Sequence, residues 1–269
     1  MRYFIHLGYQ GTNYSGWQRQ INTEHTVQEI IEKRLAKIFK KEVTAYGCGR
    51  TDAGVHASQY IMHIDLDEAP DFDLKFRLNK NLPDAIAVYD IVEVSQDQHC
   101  RYDATDRTYD YFIHWEKDSE LYRSSSFYEG LQFDFEKMQK ACKLIAKTRD
   151  FRPLCKHPDI YKNTICEVSN CGIFLNKETG RMRFSITANR FLRGMVRYSV
   201  NFLLEVGTGN ISLIDFEKIL SQEIILSEKK PAHPNGLFLS KVKYPYLEFK
   251  NKHQLISMLK VGLGNNDEW

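Results

Sequence analysis

Along this chain, short alternating or β-branched runs are interleaved with a few capped apolar stripes at helical spacing, and this pattern predicts a mixture of strands and helices. Residues 2–9 read as a strand and 11–16 as a loop leading to Trp17. Val27, Ile30, Ile31, Leu35 and Ile38 form one apolar stripe, and Thr26 with Glu29 supplies a capping box at its start. Residues 43–46 read as a short strand, and a second strand through 59–64 follows the loop between them. Residues 77–84 read as a polar turn before the long β-branched run 85–94.

In the second half, Tyr109, Tyr111, Ile113 and Trp115 alternate onto one face of a strand, as sheet-core residues do. Asp134 is placed to cap a helix carrying Met138, Ala141, Cys142 and Ile145. Residues 166–175 and 181–186 read as a hairpin around the turn 176–180. A helix opens across 189–197 and runs towards Glu205, with Phe191, Met195, Tyr198 and Phe202 on one side. Ser212 with Asp215 can cap a last helix through Ile219 and Leu220, before the strand that begins at Gly236.

The densest chemistry lies between the strands at 43–46 and 59–64. There Gly49-Arg50-Thr51-Asp52-Ala53-Gly54-Val55-His56 sets a guanidinium, a hydroxyl, a carboxylate and an imidazole in and beside a glycine-bounded loop. Gly49 and Gly54 can take φ > 0 and let a ligand or another backbone come close. An Asp so placed commonly caps its own backbone, with a nearby Arg as its ion-pair partner, so composition alone leaves a structural role open. Arg197 is a basic group on an otherwise apolar helix and calls for a carboxylate or a phosphate.

At 269 residues with 42% hydrophobic residues, the chain can bury a core as one large domain or two small ones. A net charge of +2 means that a nucleic-acid surface must come from clustering. Such a cluster exists in the acid-free run that holds Arg181, Arg183, Arg190, Arg193 and Arg197. The six cysteines lack any C-x-x-C or other zinc spacing, so they are expected to be reduced and no metal is expected. No secretory h-region and no run of about 20 apolar residues is present, which predicts a soluble, cytoplasmic protein.

Nine consecutive residues, Gly49-Arg50-Thr51-Asp52-Ala53-Gly54-Val55-His56-Ala57, resemble the signature of the TruA-type tRNA pseudouridine synthases. His99, Arg101, Ala104, Arg107, Tyr109 and Tyr111 are similar to that family's H-x-R-x-x-A-x-x-R-x-Y-x-Y motif. Phe191-Leu192 with Met195-Val196-Arg197 resembles its F-L-x-x-M-V-R, and Gly236-Leu237-Phe238-Leu239 its closing G-L-x-L strand. The likeness lapses at Arg152-Pro153-Leu154, where many relatives have D-F-x-S-F, and at Arg193-Gly194, where they have two histidines. These departures bear on RNA contacts.

The resemblance implies an α+β protein of two similar mixed halves, residues 1–105 and 106–269, whose antiparallel sheets join across a central RNA-binding cleft. It implies a homodimer that isomerises uridine to pseudouridine in the anticodon arm of tRNA, at positions 38, 39 and/or 40, without a cofactor. Asp52 would be the nucleophile, acting on C1′ or C6 or removing a sugar proton. Arg50, Thr51, Tyr109 and Arg197 would be the substrate-binding residues. Tyr109 would stack on the extruded uracil, Arg50 would fill the vacated space or hold a flanking phosphate, and Arg197 would pair with Asp52.

Other classes are less well supported by the residues. A nucleotide-binding domain lacks G-x-x-x-x-G-K-[ST] and G-x-G-x-x-G, and a metal-dependent hydrolase lacks ligand spacing. A non-catalytic tRNA-binding module would have no need of the acid at position 52.

Overall fold

The computed structural model describes residues 1–130, 132–176 and 178–249. Contacts divide the described residues into two units, the first being residues 1–105 with 238–249 and the second residues 106–237.

In the first unit, β1 (Arg2–Tyr9) runs antiparallel to both β3 (His56–Asp65) and β4 (Ile86–Val94). The two-residue β2 (Tyr46–Gly47) adds to β3 antiparallel, and the late strand β9 (Leu237–Lys243) pairs parallel with β3 at His56 and Ala57. Phe4, Ile5 and Leu7 from β1 and Tyr60, Ile61 and Met62 from β3 are buried in succession, as strands covered on both faces must be.

The helix α1 (Val27–Phe39) begins where Thr26 accepts a hydrogen bond from the Glu29 amide. Val27, Ile31 and Leu35 are buried, but Ile30 and Ile38 are only half-buried. Gln28 and Glu32 share the buried face instead, for a specific reason. Gln28 Oε1 accepts from the Arg19 amide and its Nε2 donates to the Ala45 carbonyl, while Glu32 accepts from the Ala45 amide and the Arg19 guanidinium. These two side chains satisfy backbone groups on both segments that flank the helix.

The first part of the polar turn expected at 77–84 is instead helix, α2 (Leu74–Asn81), started by Asp73, which accepts from the Phe76 amide at 2.9 Å; the turn itself follows from residue 82. Only Leu74 and Leu78 are buried, four positions apart on one face. Asn79 sits on the same helix and bonds both the amide and the carbonyl of Val88 in β4.

The second unit is built on β5 (Asp106–His114), β7 (Val168–Asn176) and β8 (Arg181–Ala188), with β8 antiparallel to both of the others. A short β6 (Ser126–Phe127) pairs parallel with β5. Asp134 caps α3 (Phe135–Lys147), which buries Met138, Ala141, Cys142 and Ile145. Thr179 donates its amide to the Asn176 side chain in the hairpin turn, of which Lys177 lies outside the described residues.

The helix expected from residue 189 starts later: α4 is Met195–Gly207, and residues 189–194 approach it as extended chain and turn. Gly194 precedes it with φ +73°, and a Cβ there would lie 2.9 Å from the Tyr198 ring. The glycine that departs from the family's histidine pair therefore meets a backbone requirement at this turn. Finally, Ser212 accepts from the Asp215 amide to start α5 (Leu213–Leu220).

Candidate active site

The Asp52 loop leaves β2 and returns into β3, and almost every residue in it is fixed by a partner. The Cys48 amide donates to the Ile61 carbonyl, and Tyr60 Oη donates to the Gly49 carbonyl at 2.5 Å. Trp17 lies parallel to the Tyr60 ring at 4.0 Å, and its amide donates to the Thr51 carbonyl at 3.2 Å. The Thr51 hydroxyl is buried against Tyr9 Oη, 2.8 Å away. Beyond Asp52, the Val55 amide closes a turn onto the Asp52 carbonyl and the Gly54 amide donates to the Tyr14 carbonyl.

Two glycines in the facing segment make this approach possible. Gly16 has φ +93°, and a Cβ on it would stand 2.5 Å from the Thr51 carbonyl oxygen; on Gly11 it would stand 2.0 Å from the Val55 carbonyl oxygen. Within the loop, Gly54 uses the left-handed conformation with φ +78°, and Gly49 does not. A Cβ on Gly49 would meet nothing within 4 Å, so no close approach of another group requires a glycine there.

His56 is fully buried. Its Nδ1 accepts from the Gly11 amide at 3.1 Å, and its ring stacks on Phe238 at 4.4 Å. It is thus a structural hydrogen-bonder that joins the loop to β1's exit and to β9. Arg50 is exposed, Thr51 is buried and Asp52 is half-buried. The first unit therefore presents a carboxylate at the tip of a loop whose backbone is held from both sides, the preorganisation that a reacting group needs.

In the second unit, Tyr109 sits on β5 opposite Ile186, half-buried, with its ring edge-on to Phe191 at 5.0 Å. Its neighbour on the same face, Tyr111, is fully buried, donates to the His233 carbonyl at 2.7 Å and lies 2.8 Å from the Ser126 hydroxyl; burial pushes its phenol well above the ordinary range. The alternation thus divides into a core ring at 111 and an accessible ring at 109.

Arg197 lies in the first turn of α4. Its Nε donates to the Ala232 carbonyl at 2.7 Å, and the Ala232 amide donates back to the Arg197 carbonyl at 3.0 Å. The guanidinium is half-buried and held at a fixed angle by this pair. Two other arginines of the basic run serve the fold. Arg183 is buried, stacks over Phe174 at 4.5 Å and pairs with buried Asp110 at 3.6 Å, while Arg181 pairs with Asp118 at 3.0 Å. Arg193 remains exposed and Arg190 half-buried just before α4, and Lys156, also exposed, is tied to this segment through its amide, which donates to the Arg193 carbonyl.

The supporting residues Tyr9, Gly11, Gly16, Trp17 and Tyr60 are absent from the sequence-based site. Their signal is the run Tyr9-Gln10-Gly11-Thr12-Asn13-Tyr14-Ser15-Gly16-Trp17, in which two glycines alternate with rings.

A family model for tRNA pseudouridine synthase matches residues 7–103 and 141–245. Proteins called tRNA pseudouridine synthase A are similar over nearly their whole length. That of Porphyromonas gingivalis is 40% identical over 91% of this chain and 97% of its own. Those of Bacteroides fragilis and Parabacteroides distasonis are 41% and 42% identical, each over 91% of this chain and 96% of its own. The matched regions contain the Asp52 loop, Arg197 and the segments that hold them, and the chain belongs to the tRNA pseudouridine synthase family.

Proposed function

We propose that this protein isomerises uridine to pseudouridine in the anticodon arm of tRNA, at positions 38, 39 and/or 40, with Asp52 as the nucleophile. The observation that carries this is the Asp52 carboxylate at the tip of a loop fixed by Tyr9, Tyr14, Trp17 and Tyr60, within a chain of this family.

The reaction breaks the bond from N1 to C1′, turns the freed uracil and joins C5 to C1′. The proton on C5 is lost and N1 gains one, so atoms and charge balance without a cofactor. Asp52 assists the first step by attack on C1′ or C6, or by removing a sugar proton. Extruding the base costs a few kcal/mol of stacking. Tyr109 replaces that stacking, its ring braced by Phe191, and Arg197 keeps the carboxylate ionised. Arg50 occupies the vacated place or holds a neighbouring phosphate, and Thr51 positions the loop beside it.

Arg190, Arg193 and Lys156 supply phosphate contacts, so tRNA affinity falls as salt rises. The protein acts as a homodimer in the cytoplasm; among the described residues no helix is long and apolar enough to cross a membrane. Carbodiimide labelling of tRNA treated with the protein, read by primer extension, maps the product. Stops at 38–40 support the assignment, and stops confined to other positions overturn the choice of arm.

A further inference from the structure

We propose that the first unit also binds a thiophilic divalent ion, Zn²⁺ by its donor set, through His63, His99 and Cys100. One nitrogen from each imidazole and the cysteine sulfur lie within 4.8 Å of one another. His63 Nδ1 and Cys100 Sγ are 3.2 Å apart. Tetrahedral zinc with N and S ligands sets such atoms about 3.5 Å apart, so this pair already spans close to one edge of the tetrahedron. His99, whose donor nitrogen lies within 4.8 Å of the other two, draws closer to complete three ligands, and its half-buried position leaves the fourth place to water.

The surroundings hold these donors in place. His63 and Cys100 are buried, and the His63 ring lies parallel to Tyr46 at 4.8 Å and to Phe4 at 6.0 Å. His99 stands edge-on to His63 at 4.6 Å and is backed by Tyr102 at 4.3 Å. The backbone of the 99–103 turn is fixed as well. Asp103 accepts from the His99 amide and from Tyr246 Oη, both at 2.7 Å, and Tyr244 Oη donates to the Cys100 carbonyl at 2.5 Å. A site whose ligands are braced by an outer layer of hydrogen bonds and rings is how proteins hold zinc.

Without an ion, the Cys100 thiol donates to the Tyr46 carbonyl at 3.0 Å, leaving its sulfur to accept from His63 Nδ1. On binding, the thiol proton goes to solvent and the sulfur binds as thiolate, while His63 moves its ring proton from Nδ1 to Nε2. The hydrogen bond that His99 Nδ1 accepts from the Arg101 amide (3.1 Å) helps to fix the ring's orientation. The cation closest in influence, Arg2, is already neutralised by Asp65 at 2.8 Å. The donors come from β3 and from the turn after β4, which is why no spacing along the chain reveals them. Cys100 also touches Tyr46, the first residue of the strand that leads into the Asp52 loop.

The test is a Co²⁺ titration of the metal-free, full-length protein. The expected result is saturation at one equivalent, with thiolate-to-cobalt charge-transfer absorption in the near ultraviolet and visible bands of tetrahedral strength. Cys100→Ala is expected to lose the charge-transfer band and to raise Kd by roughly tenfold or more. His99→Gln should keep the band while weakening binding, and Cys155→Ala should change neither; circular dichroism checks that each variant is folded. No charge-transfer band with the unaltered protein, a band that survives Cys100→Ala, or one lost in Cys155→Ala overturns the site.

Discussion

The hydroxyls of Tyr9 and Thr51 share a buried hydrogen bond of 2.8 Å, which ties the end of β1 to the residue before Asp52. Tyr9→Phe leaves the Thr51 hydroxyl buried without this partner, at a cost of about 1–2 kcal/mol. Because that bond holds the loop, turnover is expected to fall by about tenfold, the rate equivalent of about 1.4 kcal/mol. Urea unfolding and pseudouridine formation measured together check both effects.

Gly16→Ala tests the close approach of the neighbouring segment. The left-handed φ of +93° costs a side chain about 1–2 kcal/mol, and pushing the Thr51 carbonyl away from a Cβ 2.5 Å off costs about 1–3 kcal/mol more. The same change at exposed Gly209, with φ +81° but no atom within 4 Å of a Cβ, should cost only the first of these. The difference in denaturation midpoint between the two variants isolates the contact.

Arg183→Ala separates a structural arginine from an RNA-binding one. It removes the ion-pair partner of buried Asp110 and is expected to destabilise the protein by about 3–5 kcal/mol. The salt dependence of tRNA binding should not change, whereas Arg193→Ala should reduce that slope by about one phosphate contact with little loss of stability. Filter binding across a salt series distinguishes the two.

His6 carries a pH prediction. It is buried against Tyr89 and Phe249, and burial lowers its pKa to about 4, with Lys75 adding to the effect and Asp90 opposing it. The unfolded chain takes up a proton near 6.5 and the folded chain only near 4, so the unfolded state binds more protons between these values. Stability is therefore full above pH 6.5 and falls as the pH drops towards 4, by about 3 kcal/mol for a shift of this size. Unfolding followed from pH 7 to 4 should show a slope in this direction, and His6→Phe should reduce it by the His6 share, leaving that of His63, which burial lowers likewise.

Much of the fold is legible in the sequence where the local signal and the tertiary outcome agree. Thr26, Asp134 and Ser212 each cap the helix they precede, because capping depends on residues three apart and not on distant packing. The α2 helix is hidden because only Leu74 and Leu78 are buried among polar residues that otherwise suit a turn. The late start of α4 follows from Gly194, whose left-handed φ stops the helix from extending backwards. At the site, the Asp52 motif is contiguous and so stands out, while the residues that hold it act through pairs such as Tyr9 with Thr51 that no local pattern records. Gln28 and Glu32 are a similar case: polar positions on a buried helix face whose partners lie on separate segments.

The central claim is that Asp52 is the nucleophile of a uridine isomerase. Its most direct test is tritium release from tRNA labelled at C5 of uridine, comparing the unaltered protein with Asp52→Asn at equal tRNA occupancy. Release by the first and none by the second is the predicted result, since the substitution keeps the shape of the loop and removes only the carboxylate charge. Equal release by both would contradict the role of Asp52, and binding without release by either would contradict the isomerase itself.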